Sequence, residues 1–499
     1  MNSAARLNGF ARLRARLLCR TALSGLAVIF SAPAVADTVT TVGTIANWKD
    51  SAGNNTATPG AVPGLIADDA TTVTVNLQSA RTILDWSAGA PLNIGAGKGL
   101  SFQFLTRSDI VLNRIAGGSA TINGTLSGIV SGQPGGNIWI TARDGILFGN
   151  GAVVSTGGLL ATTSPLSTPD SDFLAGTEPV SGSNHIFSFG TGTNAISIGD
   201  AHITVNGGLL AFVAPVVSSV ANTAGNGIDG TGSVLYGAAD AFRITLVPDG
   251  ATNWDLVSFE VPAGNGSSSP GTVIALSGTT NVTGSVYLAA INSTLATDVV
   301  TVDGHIATSA AVDDNGNIVL SAGHDIVGNA VDSAGNGEGV QVNLAGGGTL
   351  NASGDITLRA QSDVTLNGDT SANGTLTLVS DGGAIAASGG AITAATLTGS
   401  SGGAADLSNS GNVITTLNDF TNTSGPLTLK DSAPLTITGT VDATGQTLTL
   451  NDTGGGIAAS GGAIKAATLT GSSAGAADFS NPGNVIATLN GFTNTAGAL

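Results

Sequence analysis

The sequence predicts an all-β fold, a parallel β-solenoid, and three observations carry that expectation. The first is composition: 74 glycines among 499 residues, 10% charged and 4% aromatic residues, and a mean hydropathy of +0.32. So few charges at positive hydropathy argue for a folded chain. So much glycine with so few aromatics argues for thin layers with frequent turns rather than one large core. The second is short period-two runs punctuated by Gly, Asn, Asp and Ser, as in "NVITTL" (412–417), "PLTLK" (426–430), "PLTITGTV" (434–441) and "TLTLN" (447–451). Such runs read as strands. The third is an internal repeat: residues 382–427 return as 454–499, offset by 72, with nine of 46 positions changed.

Repeats that cannot bury their own faces stack on their neighbours. With about 4.8 Å between coils and about 22 residues per coil, the repeat spans about three coils and residues 37–499 make a rod of about 100 Å. Thr, Val and Ile ladders fill it, with Gly and Asn at its corners. No long capped helical pattern interrupts the strands, although "AADLSNS" (404–410) fits a single helical turn. The tandem repeat belongs to residues 301–499. Residues 37–300 repeat less and hold Trp48, Trp86, Trp139 and Trp254, so they read as a separate leading domain, with "VPAGNGSSSPGT" (261–272) near its end. Leu499 corresponds to Leu427, in mid-repeat, so the sequence reads as part of a longer rod.

Residues 1–36 form a different segment. Five arginines without an acid precede the apolar run "TALSGLAVIF", and Ala34-Val35-Ala36 fits a cleavage site, the layout of a secretory signal peptide. Cys19, the only cysteine, lies inside it. The remaining chain then has no thiol or disulfide chemistry. Removing the leader takes the net charge from −18 to −23, and no Lys or Arg occurs between Arg243 and Arg359. A nucleic-acid binder needs a basic face, so nucleic acid is excluded as a partner. The longest apolar stretch, "LLAFVAPVV" (209–217), is too short to span a bilayer as a helix.

The sequence offers no constellation for catalysis, and neither enzyme activity, cofactor nor metal is expected. His185, His202, His305 and His324 lack metal-ligand spacing. "GNGIDG" (225–230) is followed by no helix, and "GAGKGL" (95–100) lacks the Ser or Thr of a phosphate loop. The best acidic pair, Asp313-Asp314 in "AVDDNGNIVL", is turn chemistry with no basic residue nearby.

One region is more specific. "SDIVLNRIAGGSATINGTLSG" (108–128) is followed by "GGNIWITARDGILFGNGAVVSTGGLLATTS" (135–164), "TPDSDFLAG" (168–176) and "GGLLAFVAPVV" (207–217). This order resembles the amino-terminal secretion domain of filamentous-haemagglutinin-like exoproteins of bacterial two-partner secretion. One motif of that family, carrying Asn113 and Arg114, is matched without change. At the other, the family's Asn-Pro-Asn-Gly turn is replaced by Ala142-Arg143-Asp144-Gly145, where Asp144 can serve the turn as Asn does. The resemblance implies a right-handed parallel β-helix with an amino-terminal cap. It implies a secretion domain over 37–300 and Asn113, Arg114, Asp144 and Gly145 as candidate secretion determinants. The same four residues are equally readable as corner and ladder residues needed for folding.

The partner implied is an outer-membrane pore whose periplasmic domains receive the unfolded chain. The product is a secreted or surface-bound adhesive rod whose surface ligand is undetermined. The rival readings are the delivery stalk of a contact-dependent toxin, an autotransporter passenger, and a β-helix polysaccharide hydrolase. Within "GILFGNGAVVSTGG", Ile146 and Phe148 are expected on one face and Leu147 on the other, with turns at Asn150-Gly151 and Gly157-Gly158.

Overall fold

A computed structural model describes residues 41–55, 66–68, 71–220, 225–249, 253–291, 300–302, 305–308, 317–324, 326–327, 330–331, 342–344 and 346–499. The leader with Ala36 and Cys19, and the pair Asp313-Asp314, lie outside the described residues. The fold is all-β, and its body is a parallel β-solenoid in which each strand pairs with strands one coil before and one coil after. One column of interior residues shows the arrangement. Val111, Ile138, Leu159, Leu210, Val234, Val286, Ile318, Ile356, Leu376, Leu397 and Leu417 stand on successive rungs, in register, each facing the next. All are buried in one continuous core. Identical or similar aliphatics stack here because an in-register parallel ladder places the same pleat position of every coil about 4.8 Å from its neighbour.

The first rung is covered. Ile45–Asp50 runs antiparallel to Arg81–Trp86, and Ile66–Asp68 runs antiparallel to Thr72–Asn76, so the exposed edge of the opening coil is paired. This is the amino-terminal cap that the sequence implied.

The outward column of the same strands changes character along the chain. Ile83, Leu112, Trp139, Leu160, Ala211, Leu235, Tyr287 and Val319 point away from the interior yet are buried in a second core. Beyond Val319 the column continues as Thr357, Thr377 and Thr398, all partly exposed. The cause is a second sheet, antiparallel and six-stranded, laid over the first part of this face. Its strands are Val180–Ser181, Asn184–Phe189, Phe242–Asp249, Asn253–Glu260, Ile326–Val327 and Ala330–Val331. They leave the solenoid in three excursions, one after each of the strands Gly158–Thr162, Ser233–Ala238 and Ile318–Ala322. Strands covered on both faces read as unbroken apolar runs, as in "NIWITA" and "LLAFVA". Strands past the second sheet read as apolar–Thr alternation, as in "TLTLV".

Three expectations change. The excursions remove residues from the stack, so the column from Thr82 to Ile437 rises through twelve steps, about 58 Å, and the length expected from 22 residues per coil was too great. In the repeat region a coil takes 20 to 22 residues, as in Val364, Ile385, Ala405, Leu427, Leu448 and Leu469. Three coils from Ile385 therefore end at Leu448, 63 residues on, and the 72-residue repeat is not a whole number of coils. The repeat equivalent of Ile385 is Ile457, which stacks between Leu435 and Ala477 on the next face. "AADLSNS" forms no helical turn: Ala405–Leu407 is a ladder strand. The one helix among the described residues is Asp170–Ala175, within "TPDSDFLAG".

Leu147 is 39% exposed while Ile146 and Phe148 are buried, as the alternation required. Asn150-Gly151 is a turn, with Gly151 at φ +79°. Of the second glycine pair, Gly157 makes the bend and Gly158 already belongs to the next strand. Gly399 and its repeat equivalent Gly471 mark close approaches between coils. A Cβ on either would overlap the backbone carbonyl of Leu378 or Leu450 on the rung below. Trp139, packed on Phe173, Phe187 and Phe189 at ring separations of 5.7, 4.8 and 6.4 Å, joins the solenoid to the second sheet. Trp139→Ala is expected to cost about 3–5 kcal/mol. It should make residues 163–195 protease-sensitive, which denaturant titration with limited proteolysis checks.

Candidate functional site

The four residues singled out in the sequence fall on two consecutive coils, because Ile110–Ile115 stacks on Asn137–Ala142 with Asn113 beside Ile140 and Arg114 beside Thr141. Alternation along the first strand sends Asn113 inward and Arg114 outward. Asn113 is fully buried. Its Oδ1 accepts the Trp86 indole N–H at 3.1 Å, and its Nδ2 donates to the Trp139 carbonyl at 3.1 Å. The amide thus bridges the coils before and after its own.

Arg114 reaches outward to two acids. Its Nε and one terminal nitrogen donate to Asp85 at 2.6 and 3.1 Å, and the other donates to Asp170 at 2.6 Å. Asp170 also pairs with Lys49 from the cap. The group ties the cap, two coils and the helix Asp170–Ala175 together. Burial alone would push the Asp170 carboxyl up. The hydrogen bonds and charges of Lys49 and Arg114 outweigh it and hold it below the ordinary value.

Asp144 and Gly145 make the corner after Asn137–Ala142. Asp144 Oδ2 accepts the Gly118 N–H at 2.6 Å, one coil earlier. Gly145 sits at φ +113°, where a side chain is strained, and its carbonyl accepts the Ala120 N–H at 3.0 Å. The structure therefore gives each of the four a folding contact between neighbouring coils. Arg114 and the exposed Arg143 also line a surface cleft of about 380 Å³ with Asp85, Ile115, Thr141 and Pro165.

A buried charged cluster was not visible in the sequence. Arg81, at the start of the first solenoid strand, donates to both oxygens of Glu178 at 2.7 Å and to the Phe173 carbonyl at 2.6 Å. His185 Nδ1 lies 2.6 Å from Glu178 Oε1. The guanidinium carbon is 5.3 to 5.8 Å from the rings of Phe173, Phe187 and Trp254. Trp254 in turn donates its indole N–H to the Ser108 carbonyl at 2.8 Å. The Glu178 side chain is fully buried and that of Arg81 nearly so. Together they fasten the second sheet to the solenoid. The only sequence signal was an arginine opening an apolar strand and one glutamate in "AGTEPV", 97 residues apart.

No catalytic geometry emerges around the other histidines. His324 Nε2 lies 2.8 Å from Asp381, which also takes Arg359 at 3.0 Å. Ser321 completes a Ser–His–Asp grouping in composition only, since its hydroxyl donates to the His324 backbone carbonyl at 2.6 Å and is fully buried. His202 and His305 contact Thr204 and Thr349 on outer faces. Among the described residues no three His, Cys, Asp or Glu side chains are grouped to hold a metal.

No protein-family model matches the chain, and no curated protein matches it. Among solved structures, the crystal structure of the HMW1 secretion domain from Haemophilus influenzae is similar at 15% identity and a TM-score of 0.37. The match covers 85% of this chain and 96% of that one.

Burial would raise the Glu178 carboxyl, but the hydrogen bonds and charge of Arg81, helped by a backbone N–H and His185, hold it below its ordinary 4.5. A carboxyl held low in the folded state stabilises above its unfolded pKa, and that contribution is lost as pH falls through the lower folded value. Acid is therefore expected to release the second sheet below about pH 4.5. Glu178→Gln should cost about 3–5 kcal/mol near neutral pH, because it leaves Arg81 buried without its charge partner. Tryptophan fluorescence of Trp139 and Trp254 against pH and denaturant measures both effects.

Proposed function

We propose that the chain is an exported bacterial surface protein whose residues 37–300 direct it through a partner outer-membrane pore, and whose repeats at 301–499 extend an adhesive, non-enzymatic rod. The observation that carries this reading is the placement of the resembling motifs. "VLNR", "NIWITARDGILF", "GGLLATTS" and "GGLLAFVAP" supply Ile110–Ile115, Asn137–Ala142, Gly158–Thr162 and Leu209–Ala214, four successive rungs of one ladder. Motifs separated in sequence thus make one contiguous wall, beside the cap and under the second sheet.

The physics of the fold supports the same reading. Coils that contact chiefly their neighbours allow folding to propagate from the capped end as the chain emerges. Residues after Cys19 contain no cysteine, so an oxidising compartment cannot cross-link the chain before it folds. Cleavage after Ala36 belongs to this reading, as does the assignment of Asn113, Arg114, Asp144 and Gly145 to secretion. Their contacts make folding the more economical role for Asn113, whose amide is wholly enclosed.

Expressed in a Gram-negative host, the chain should reach the medium only when the partner pore is co-expressed. Release without a pore, or retention in the periplasm with one, would contradict the proposal. Asn113→Ala leaves the Trp86 N–H and Trp139 carbonyl unpaired, at a cost of about 1–3 kcal/mol. If Asn113 acts through folding, export of that variant falls in step with its measured stability. If the pore reads Asn113 directly, export is lost while the stability of the purified variant changes little.

A further inference from the structure

Two buried carboxylates occupy adjacent rungs far from the resembling region. Asp431 ends the strand Leu427–Asp431 and Asp452 ends Val441–Asp452, and the two are in-register ladder partners. They are 1% and 2% exposed. Each uses one oxygen to hold the corner that follows or the chain beside it. Asp431 Oδ1 accepts the N–H groups of Ile414 and Ser432 at 3.0 and 2.9 Å. Asp452 Oδ1 accepts those of Gly454 and Gly455 at 2.9 and 2.8 Å. The second oxygen of each, Oδ2, is buried with no hydrogen-bond partner among the described residues.

The surroundings decide what the free oxygens hold. Asn412 and Ser432 stand beside Asp431, Ser473 occupies the rung beyond Asp452, and none of these titrates. Lys430 and Asn451 precede the two acids on their strands and point to the opposite, solvent face. Asp406 and Asp419 on the neighbouring strands are exposed, and Asp442 is paired with Lys465. Each acid thus has the other as its charged neighbour, and the groups fixed around them are N–H donors, which disfavour a bound cation. Two bare carboxylates one rung apart repel each other and lack solvation, whereas a proton between them satisfies both free oxygens.

We propose that Asp431 and Asp452 share one proton, as a carboxyl–carboxylate pair that fastens successive coils of the repeat region and releases them as pH rises. Burial, opposed by backbone hydrogen bonds and reinforced by the charge of Asp452, pushes Asp431 up to about 6. A group raised in the folded state stabilises fully below its unfolded value, and that contribution is lost as pH rises through the folded one. The inference is independent of the export reading.

The test is amide exchange in the full chain over Leu427–Asp431 and Val441–Asp452, corrected for intrinsic rates, at pH 5 and pH 8. Opening is expected to be about tenfold more frequent at pH 8. Asp431→Asn places an amide donor where the proton sat. It should bring protection at pH 8 to the wild-type level at pH 5 and abolish the pH dependence. Asp452→Asn should do the same from the other side, which covers the case in which one variant fails to fold. Persistence of the pH dependence in both variants would overturn the proposal. So would protection of the wild-type coils at pH 8 by calcium chloride, which would mean that the pair holds a cation instead.

Discussion

The in-register parallel ladder is the constraint on which everything else in this molecule depends. Strands of one coil have no partner within that coil, so their backbone groups pair with the coils on either side. This fixes the spacing of the interior columns and makes any residue at one pleat position meet its counterparts directly. The aliphatic column from Val111 to Leu417 follows. So do the glycines at Gly399 and Gly471, where the carbonyl of the coil below leaves no room for a side chain. The same rule makes a buried polar residue a repeated problem. The column Ser380, Ser401 and Asn422 meets it by turning hydroxyl or amide groups back onto corner carbonyls. Asp431 and Asp452 occupy a similar strand-end position with a carboxyl in place of a hydroxyl.

The second constraint is coverage. A solenoid face presents one side of its strands to the interior, and the other side needs either water or a second layer. Along the amino-terminal coils the outward side is apolar and three excursions build the sheet that covers it. Charge enters this interface only as the bidentate Arg81–Glu178 pair, enclosed by aromatic rings. Nearer the surface, Arg114 makes the comparable link among cap, coil and helix through Asp85 and Asp170. The amino-terminal region is thereby cross-braced, whereas the repeat region relies on contact between successive coils.

Much of this was legible in the residues and some was not. Period-two runs gave the ladder strands, and the three residues Ile146, Leu147 and Phe148 gave their faces correctly. The second sheet was hidden because its strands come from excursions tens of residues apart and pair only in space, with His185 meeting Leu246 across 61 residues. Its trace in sequence was indirect: runs such as "NIWITA" were apolar on both faces. The coil length was misjudged because the repeat advances the chain by three coils and one further face. Periodicity in sequence reports the evolutionary unit, not the turn of the solenoid. Of the candidate site, the corner role of Asp144 and Gly145 followed from turn chemistry. The burial of Asn113 between two tryptophans required knowing which coils were adjacent.

Register is therefore the quantity to measure. The chain beyond residue 19 has no cysteine, so introduced pairs report without interference. Thr377 and Thr398 are partly exposed neighbours on adjacent rungs, at a separation of about 4.8 Å that suits a disulfide. Thr377→Cys with Thr398→Cys should close rapidly on mild oxidation, while Thr377→Cys with Thr393→Cys, on another face, should stay reduced. Closure of the second pair, or failure of the first in a folded chain, would contradict the ladder and with it the account of core, corners and coil length.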